Sequence, residues 1–164
     1  MSAAIPTVFV VDDDRSVRES LELLIDSAGW RPQTIASAQA LLAHRPVAGP
    51  SCLILDLNLP DLNGLDLQKR VAADRLDLPI IFITGHVDVP MTVQAMKAGA
   101  VEFLTKPFAE DTLLNAVQQA IARSQAALGQ EAQMRALRQA YATLSRRERE
   151  VMALVATGRL NKQM

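Results

Sequence analysis

The chain of 164 residues holds a single cysteine and two histidines. Cys52 has no partner for an internal disulfide, so it is read as a small apolar strand residue, and a reducing cytoplasm is the expected compartment. Neither His44 nor His86 has a second histidine or a cysteine at metal-ligand spacing, so both are read as structural or surface residues. Long apolar runs are also missing. None nears the roughly 20 residues of a membrane helix, which leaves no membrane partner to expect. The opening Met1-Ser2-Ala3-Ala4-Ile5-Pro6 lacks a basic start and an apolar stretch, so no signal peptide is expected.

Hydrophobic residues make up 49% of the chain and charged residues 21%, ordinary values for a globular protein. The net charge of -1 hides an asymmetry. Residues 1–122 carry 9 Lys/Arg against 15 Asp/Glu; residues 123–164 carry 8 Lys/Arg against 3 Glu. An acidic front and a basic tail suggest two jobs, and a basic tail suits either nucleic acid or a solvated helix surface.

Short apolar runs alternate with helical patterns through residue 122. The runs are Thr7–Val11, Gln33–Ala36, Cys52–Asp56, Ile80–Thr84 and Val101–Thr105. The third and fourth are almost wholly apolar, as strands covered on both faces should be. Asp14 can cap a first helix whose apolar face is Val17, Leu21, Leu24, Ile25 and Ala28, ended by Gly29. Trp30 beside it is read as a packing residue. A second helix spans Ala38 to Ala43. A third follows Gly64 with Leu65, Leu67 and Val71. Asp88 can cap a fourth, with Pro90 in its first turn and Val93 and Met96 facing inward. A fifth starts near Glu110 and carries Leu113, Leu114, Val117 and Ile121. Five strands alternating with five helices predict an α/β fold with a doubly wound parallel sheet, whose ligands bind at the carboxyl ends of the strands.

Those ends carry the polar residues. Asp12, Asp13 and Asp14 follow the first strand, Asp56 ends the third, Thr84 ends the fourth, and Lys106-Pro107 follows the fifth. Carboxylates a few ångströms apart repel, by about 4 kcal/mol for a pair at ~4 Å and an effective dielectric near 20. A hard divalent cation relieves that conflict, and Mg²⁺ suits two carboxylates plus waters. A cation beside an aspartate, with a hydroxyl and an ammonium aimed at the same point, describes a phosphoryl-transfer site.

Val8-Phe9-Val10-Val11-Asp12-Asp13-Asp14, the run Leu53 to Gly64 around Asp56, Ile83-Thr84-Gly85-His86 and Phe103-Leu104-Thr105-Lys106-Pro107-Phe108 together resemble the signature blocks of receiver domains, as does Met91 to Ala100. The resemblance covers residues 6 to 122 in the family's order. It implies a flavodoxin-like, CheY-like sheet of order 2-1-3-4-5. It also implies that Asp56 accepts a phosphoryl group from a sensor histidine kinase. By the same resemblance Asp12, Asp13, Asp56 and the backbone carbonyl of Asn58 hold Mg²⁺ (or Mn²⁺), Thr84 and Lys106 bind phosphoryl oxygens, Thr84 and Phe103 act as the switch, and Lys106–Pro107 is cis. Gly85 would leave the site open. The switch implies dimerisation or release of an output domain on phosphorylation.

Past Ile121 a helical linker is expected over 123–143, with Leu128, Met134, Leu137 and Tyr141 on it and Gly129 breaking its heptads. Ser145-Arg146-Arg147-Glu148 is a capping box, followed by Val151, Met152, Leu154 and Val155, then Gly158 and a further cap at Asn161. Leu144 to Val151 and Gly158 to Met164 resemble the start of a LuxR-type helix-turn-helix domain, which points to the NarL/FixJ branch of response regulators, of the FixJ and StyR kind. Residues 1–122 would then be the receiver and 144–164 an incomplete, partial all-α output domain. Promoter DNA is an expected partner of the complete protein but not of this chain. Two other readings fit some of these residues. Asp12 and Asp14 have the spacing of a phosphohydrolase nucleophile and acid, but that leaves Asp56 and Lys106-Pro107 unexplained. An interaction module unable to take phosphate would lack Asp13, Asp56 or Lys106, and all three are present. The chain is therefore expected to be a regulator rather than an enzyme.

Overall fold

A computed structural model of the chain describes residues 5–44, 47–74, 78–86, 88–143 and 148. The chain divides into two compact units, residues 1–128 and residues 129–164. The elements, in order, are β1 (Thr7–Val11), α1 (Arg15–Ser27), β2 (Arg31–Ile35), α2 (Ala38–Ala43), β3 (Ser51–Asp56), α3 (Gly64–Asp74), β4 (Ile80–Thr84), α4 (Val89–Lys97), β5 (Glu102–Thr105) and α5 (Glu110–Ala142).

The strands form one parallel sheet in the expected order β2-β1-β3-β4-β5. Side chains alternate across it. Phe9, Val11, Leu53, Leu55, Ile80 and Phe82 meet Ala38, Leu41, Leu67, Val71 and Ala95 of α2, α3 and α4 on one face. Val8, Val10, Cys52, Ile54, Ile81 and Ile83 meet Leu21, Ile25, Leu113, Val117 and Ile121 of α1 and α5 on the other. Burial on both faces is why β1 and β4 read as unbroken apolar runs. Cys52 lies inside this core, and burial pushes its thiol up to about 12.

Local chemistry sets the boundaries. The Asp14 carboxylate accepts from the Ser16 amide and caps α1. Asp88 accepts from the Met91 amide and caps α4, with Pro90 in the first turn. Gly29 and Gly99 take positive φ after α1 and α4, a conformation costly for any residue with a Cβ.

Three expectations are corrected. The second strand is Arg31–Ile35, not Gln33–Ala36. It lies at the sheet edge, and the Arg31 amide bonds inward to the Pro6 carbonyl, so the next nitrogen, that of Pro32, can face away without losing a bond. Val93 and Met96 do not face inward: they are 46% and 41% exposed, while Ala95 and Met91 meet the core. Ala28 is exposed, because it is already the C-cap residue of α1.

Of the second unit, residues 129–142 are helical and exposed, with Met134, Leu137 and Tyr141 among them. The capping box and the positions from 149 to 164 lie outside the described residues, except Glu148, which is helical.

Candidate functional site

Strand register brings the polar residues to one edge. Val11 pairs with Leu55, so Asp12 and Asp56 leave neighbouring strands at the same level. Asp56 pairs with Ile83, and Thr84 with Thr105, which sets Thr84 and Lys106 beside them. The chain turns back across β1 between β2 and β3, so this edge is the topological switch point where such sheets bind ligands.

Carboxylate oxygens of Asp12, Asp13 and Asp56 lie within 4.8 Å of one another. Asp12 is fully buried, Asp56 is buried and Asp13 is exposed, so the cluster opens to solvent on one side. Asp12 Oδ1 accepts from the Asp14 amide at 2.8 Å, and its Oδ2 accepts from Lys106 Nζ at 2.9 Å. Asp56 Oδ1 accepts from the Asn58 amide at 3.0 Å. Its Oδ2 stands 3.6 Å from Lys106 Nζ. Burial raises the Asp56 carboxyl above the ordinary range; the Asn58 amide opposes this, and Asp12 adds to it. For Lys106 burial pulls down, but the hydrogen bond to Asp12 and the charge of Asp56 outweigh it, and the ammonium is held above its usual value. The Lys106–Pro107 peptide bond is cis.

Thr84 is fully buried. By alternation it continues the Phe82 side of β4, away from the face that Asp56 shares with Ile54. Its hydroxyl accepts from Asn58 Nδ2 at 3.3 Å and from the His86 amide at 3.2 Å, and it donates to the His86 carbonyl at 2.9 Å. Phe103 pairs with Phe82 in register and packs against the core on the Phe82 side of the sheet. It is half-buried, with its ring 5.9 Å from that of Phe82. Gly85 has open space around it, and His86 is exposed at the rim. Pro107 lines a groove of about 340 Å³ with Ser16, Ser20, Lys106 and Phe108.

The loop after Asp56 is tightly built. The Gly64 amide donates to the Leu57 carbonyl at 2.9 Å. A Cβ on Gly64 would stand 2.9 Å from Leu57 Cα and 3.2 Å from the Asp56 carbonyl oxygen, so only glycine fits. Asp61 accepts from the Gln39 amide at 3.0 Å and the Ala38 amide at 3.3 Å, tying this loop to the start of α2. Arg18 donates to the Asp12 carbonyl at 2.8 Å, which fixes the acidic loop to α1. Sequence reasoning passed over Arg18, Asp61 and the Asn58 side chain. Arg18 had a signal, one helical turn from the cap Asp14; the other two had none.

The response regulator receiver domain family matches residues 8–118. Nodulation protein W of Bradyrhizobium diazoefficiens is 48% identical over 157 residues, which span 96% of this chain and 69% of that protein. Transcriptional regulatory protein FixJ of the same organism is 41% identical, over 94% of this chain and 76% of its own length. Among solved structures, response regulator StyR superposes with a TM-score of 0.85 at 45% identity, covering 98% of this chain and 81% of that one. Full-length FixJ from B. japonicum gives 0.68 at 41%, covering 93% and 75%. A matching family over most of the acidic edge's own unit, and relatives that span nearly the whole chain, place it among the response regulators of two-component systems that control transcription, in the NarL/FixJ branch.

Proposed function

We propose that Asp56 is the phosphoacceptor, charged by a sensor histidine kinase. The observation that carries this reading is the cluster of Asp12, Asp13 and Asp56 within 4.8 Å, with Lys106 Nζ reaching both buried members. Three carboxylates that near one another form an all-oxygen donor set suited to a hard cation. Asp12, Asp13, Asp56 and the Asn58 carbonyl would hold Mg²⁺ (or Mn²⁺), which supplies neutralisation of phosphoryl charge when bound.

The chain's own residues then act as follows. An Asp56 carboxylate oxygen forms a bond to phosphorus as the P–N bond of the phosphohistidine breaks, and the electron pair leaves with the imidazole nitrogen. Lys106 offers its ammonium to the incoming oxygens. Thr84 turns its hydroxyl toward them, and Phe103 follows. The exposed Val89, Val93 and Met96 of α4 then offer an apolar face for phosphorylation-dependent homodimerisation. Residues 1–122 act as the receiver, 123–143 as a helical linker and 144–164 as part of a LuxR-type output domain that binds promoter DNA in the complete protein. The cytoplasm suits a free buried Cys52, and among the described residues no helix is long and apolar enough to cross a membrane.

Incubation with Mg²⁺ and acetyl phosphate, followed by peptide mass spectrometry, tests the assignment. A phosphoryl group on Asp56, lost in Asp56→Asn, is the expected result. A folded, Mg²⁺-binding protein that takes no phosphoryl group would overturn it.

A further inference from the structure

Thr84 has one hydroxyl proton and two lone pairs, and all three are engaged. The lone pairs accept from Asn58 Nδ2 and the His86 amide, and the proton goes to the His86 carbonyl. In this state the hydroxyl has no donor left for a ligand. Recruiting Thr84 to a new oxygen requires release of the His86 carbonyl. His86 lies two residues before Asp88, the cap of α4.

We infer that the Asn58 side chain and the His86 backbone form a latch that holds the Thr84 hydroxyl in a retracted position, with the His86 carbonyl competing for the proton that Thr84 would give to the phosphoryl group. The inference rests on the phosphoacceptor reading above and assigns Asn58 a positioning role through its amide, separate from its backbone carbonyl. Asn58 is suited to this because it leaves the same loop as Asp56: its backbone amide holds Asp56 Oδ1 while its side chain holds Thr84. One residue thus grips the acceptor and the responder, which stand on neighbouring strands. The long 3.3 Å contact suits a hold that must open.

The latch is tested first without phosphodonor or metal. Amide hydrogen exchange and ¹⁵N spectra of the full chain are compared for wild type, Asn58→Ala, Thr84→Val and the double variant. The His86 amide should exchange faster in Asn58→Ala and shift toward its position in Thr84→Val. Asn58→Ala should add nothing further in the Thr84→Val background, since the held hydroxyl is gone. With acetyl phosphate and Mg²⁺, Asn58→Ala should then take up phosphoryl about two- to tenfold faster, the factor expected for one hydrogen bond. An unmoved His86 amide in Asn58→Ala overturns the latch, and so does a moved amide with unchanged uptake. A wild-type protein that takes no phosphoryl group at Asp56 would instead defeat the phosphoacceptor reading, and the amide data, gathered beforehand, keep the two failures apart.

Discussion

Lys106 Nζ lies 2.9 Å from Asp12 Oδ2 but 3.6 Å from Asp56 Oδ2. The ammonium is anchored on the fully buried carboxylate and leans toward the other, leaving Asp56 the freer of the two. Removing it should therefore act mainly through Asp12. Lys106→Ala leaves Asp12 without its charge partner, which should cost about 1–3 kcal/mol, somewhat less than a fully enclosed pair because Lys106 is partly exposed. Chemical denaturation would measure this. The same variant should bind Mg²⁺ several-fold more tightly, since one positive competitor has gone; titration calorimetry that finds weaker binding would refute the arrangement.

Asp56 gives a prediction with a definite sign. Its carboxyl is raised by burial, so the ionised form is less comfortable folded than unfolded. The associated stability is present at low pH and lost as pH rises through the raised value. Asp56→Asn should accordingly raise Tm near pH 7 in the absence of divalent cations. The gain should vanish as pH falls below the ordinary carboxylate value of 3.8, where wild type is neutral too. An equal gain at every pH would show that charge is not the cause.

Asp61 carries the opposite sign. The Gln39 amide leads in holding its carboxyl below the usual range, against the opposing effect of desolvation and with help from the Ala38 amide. Its contribution is present above the unfolded value and lost as pH falls through the lowered one. Asp61→Ala should cost about 0.5 kcal/mol at neutral pH, at the low end for groups that bond a helix's first amides, because the carboxylate is exposed and screened and Ser37 already caps α2. Urea melts should show the difference between the two proteins closing in acid.

Gly64→Ala should destabilise by about 1–3 kcal/mol, because backbone atoms of Leu57 and Asp56 must shift to admit the methyl. The displaced atoms adjoin Asp56, so phosphoryl uptake at the proposed acceptor should fall as well. Gly85→Ala is the control: space is open there, and both stability and uptake should stay near wild type.

The acidic edge was readable because each member follows an apolar run, and register in a parallel sheet then aligns the ends. The start of β2 is hidden in the sequence because Arg31 and Pro32 look unlike a strand, although an edge position tolerates both. On α4, Val89, Met91, Val93, Ala95 and Met96 surround most of the helix, so periodicity could not choose the buried face. Packing chose it, through the small side chain of Ala95. The hold of Asn58 on Thr84 depends on how the loop after β3 bends over β4, which no local pattern encodes.

Cys52 sits four residues before Asp56 on the same central strand, fully enclosed, with its thiol held near 12. Only a thiolate reacts with a disulfide reagent, so this thiol stays silent until the sheet opens. The protein thus carries a natural clock for its own unfolding. Whatever binds the folded acidic edge, a divalent cation or a phosphoryl group on Asp56, slows that clock in proportion to how much it favours the folded state.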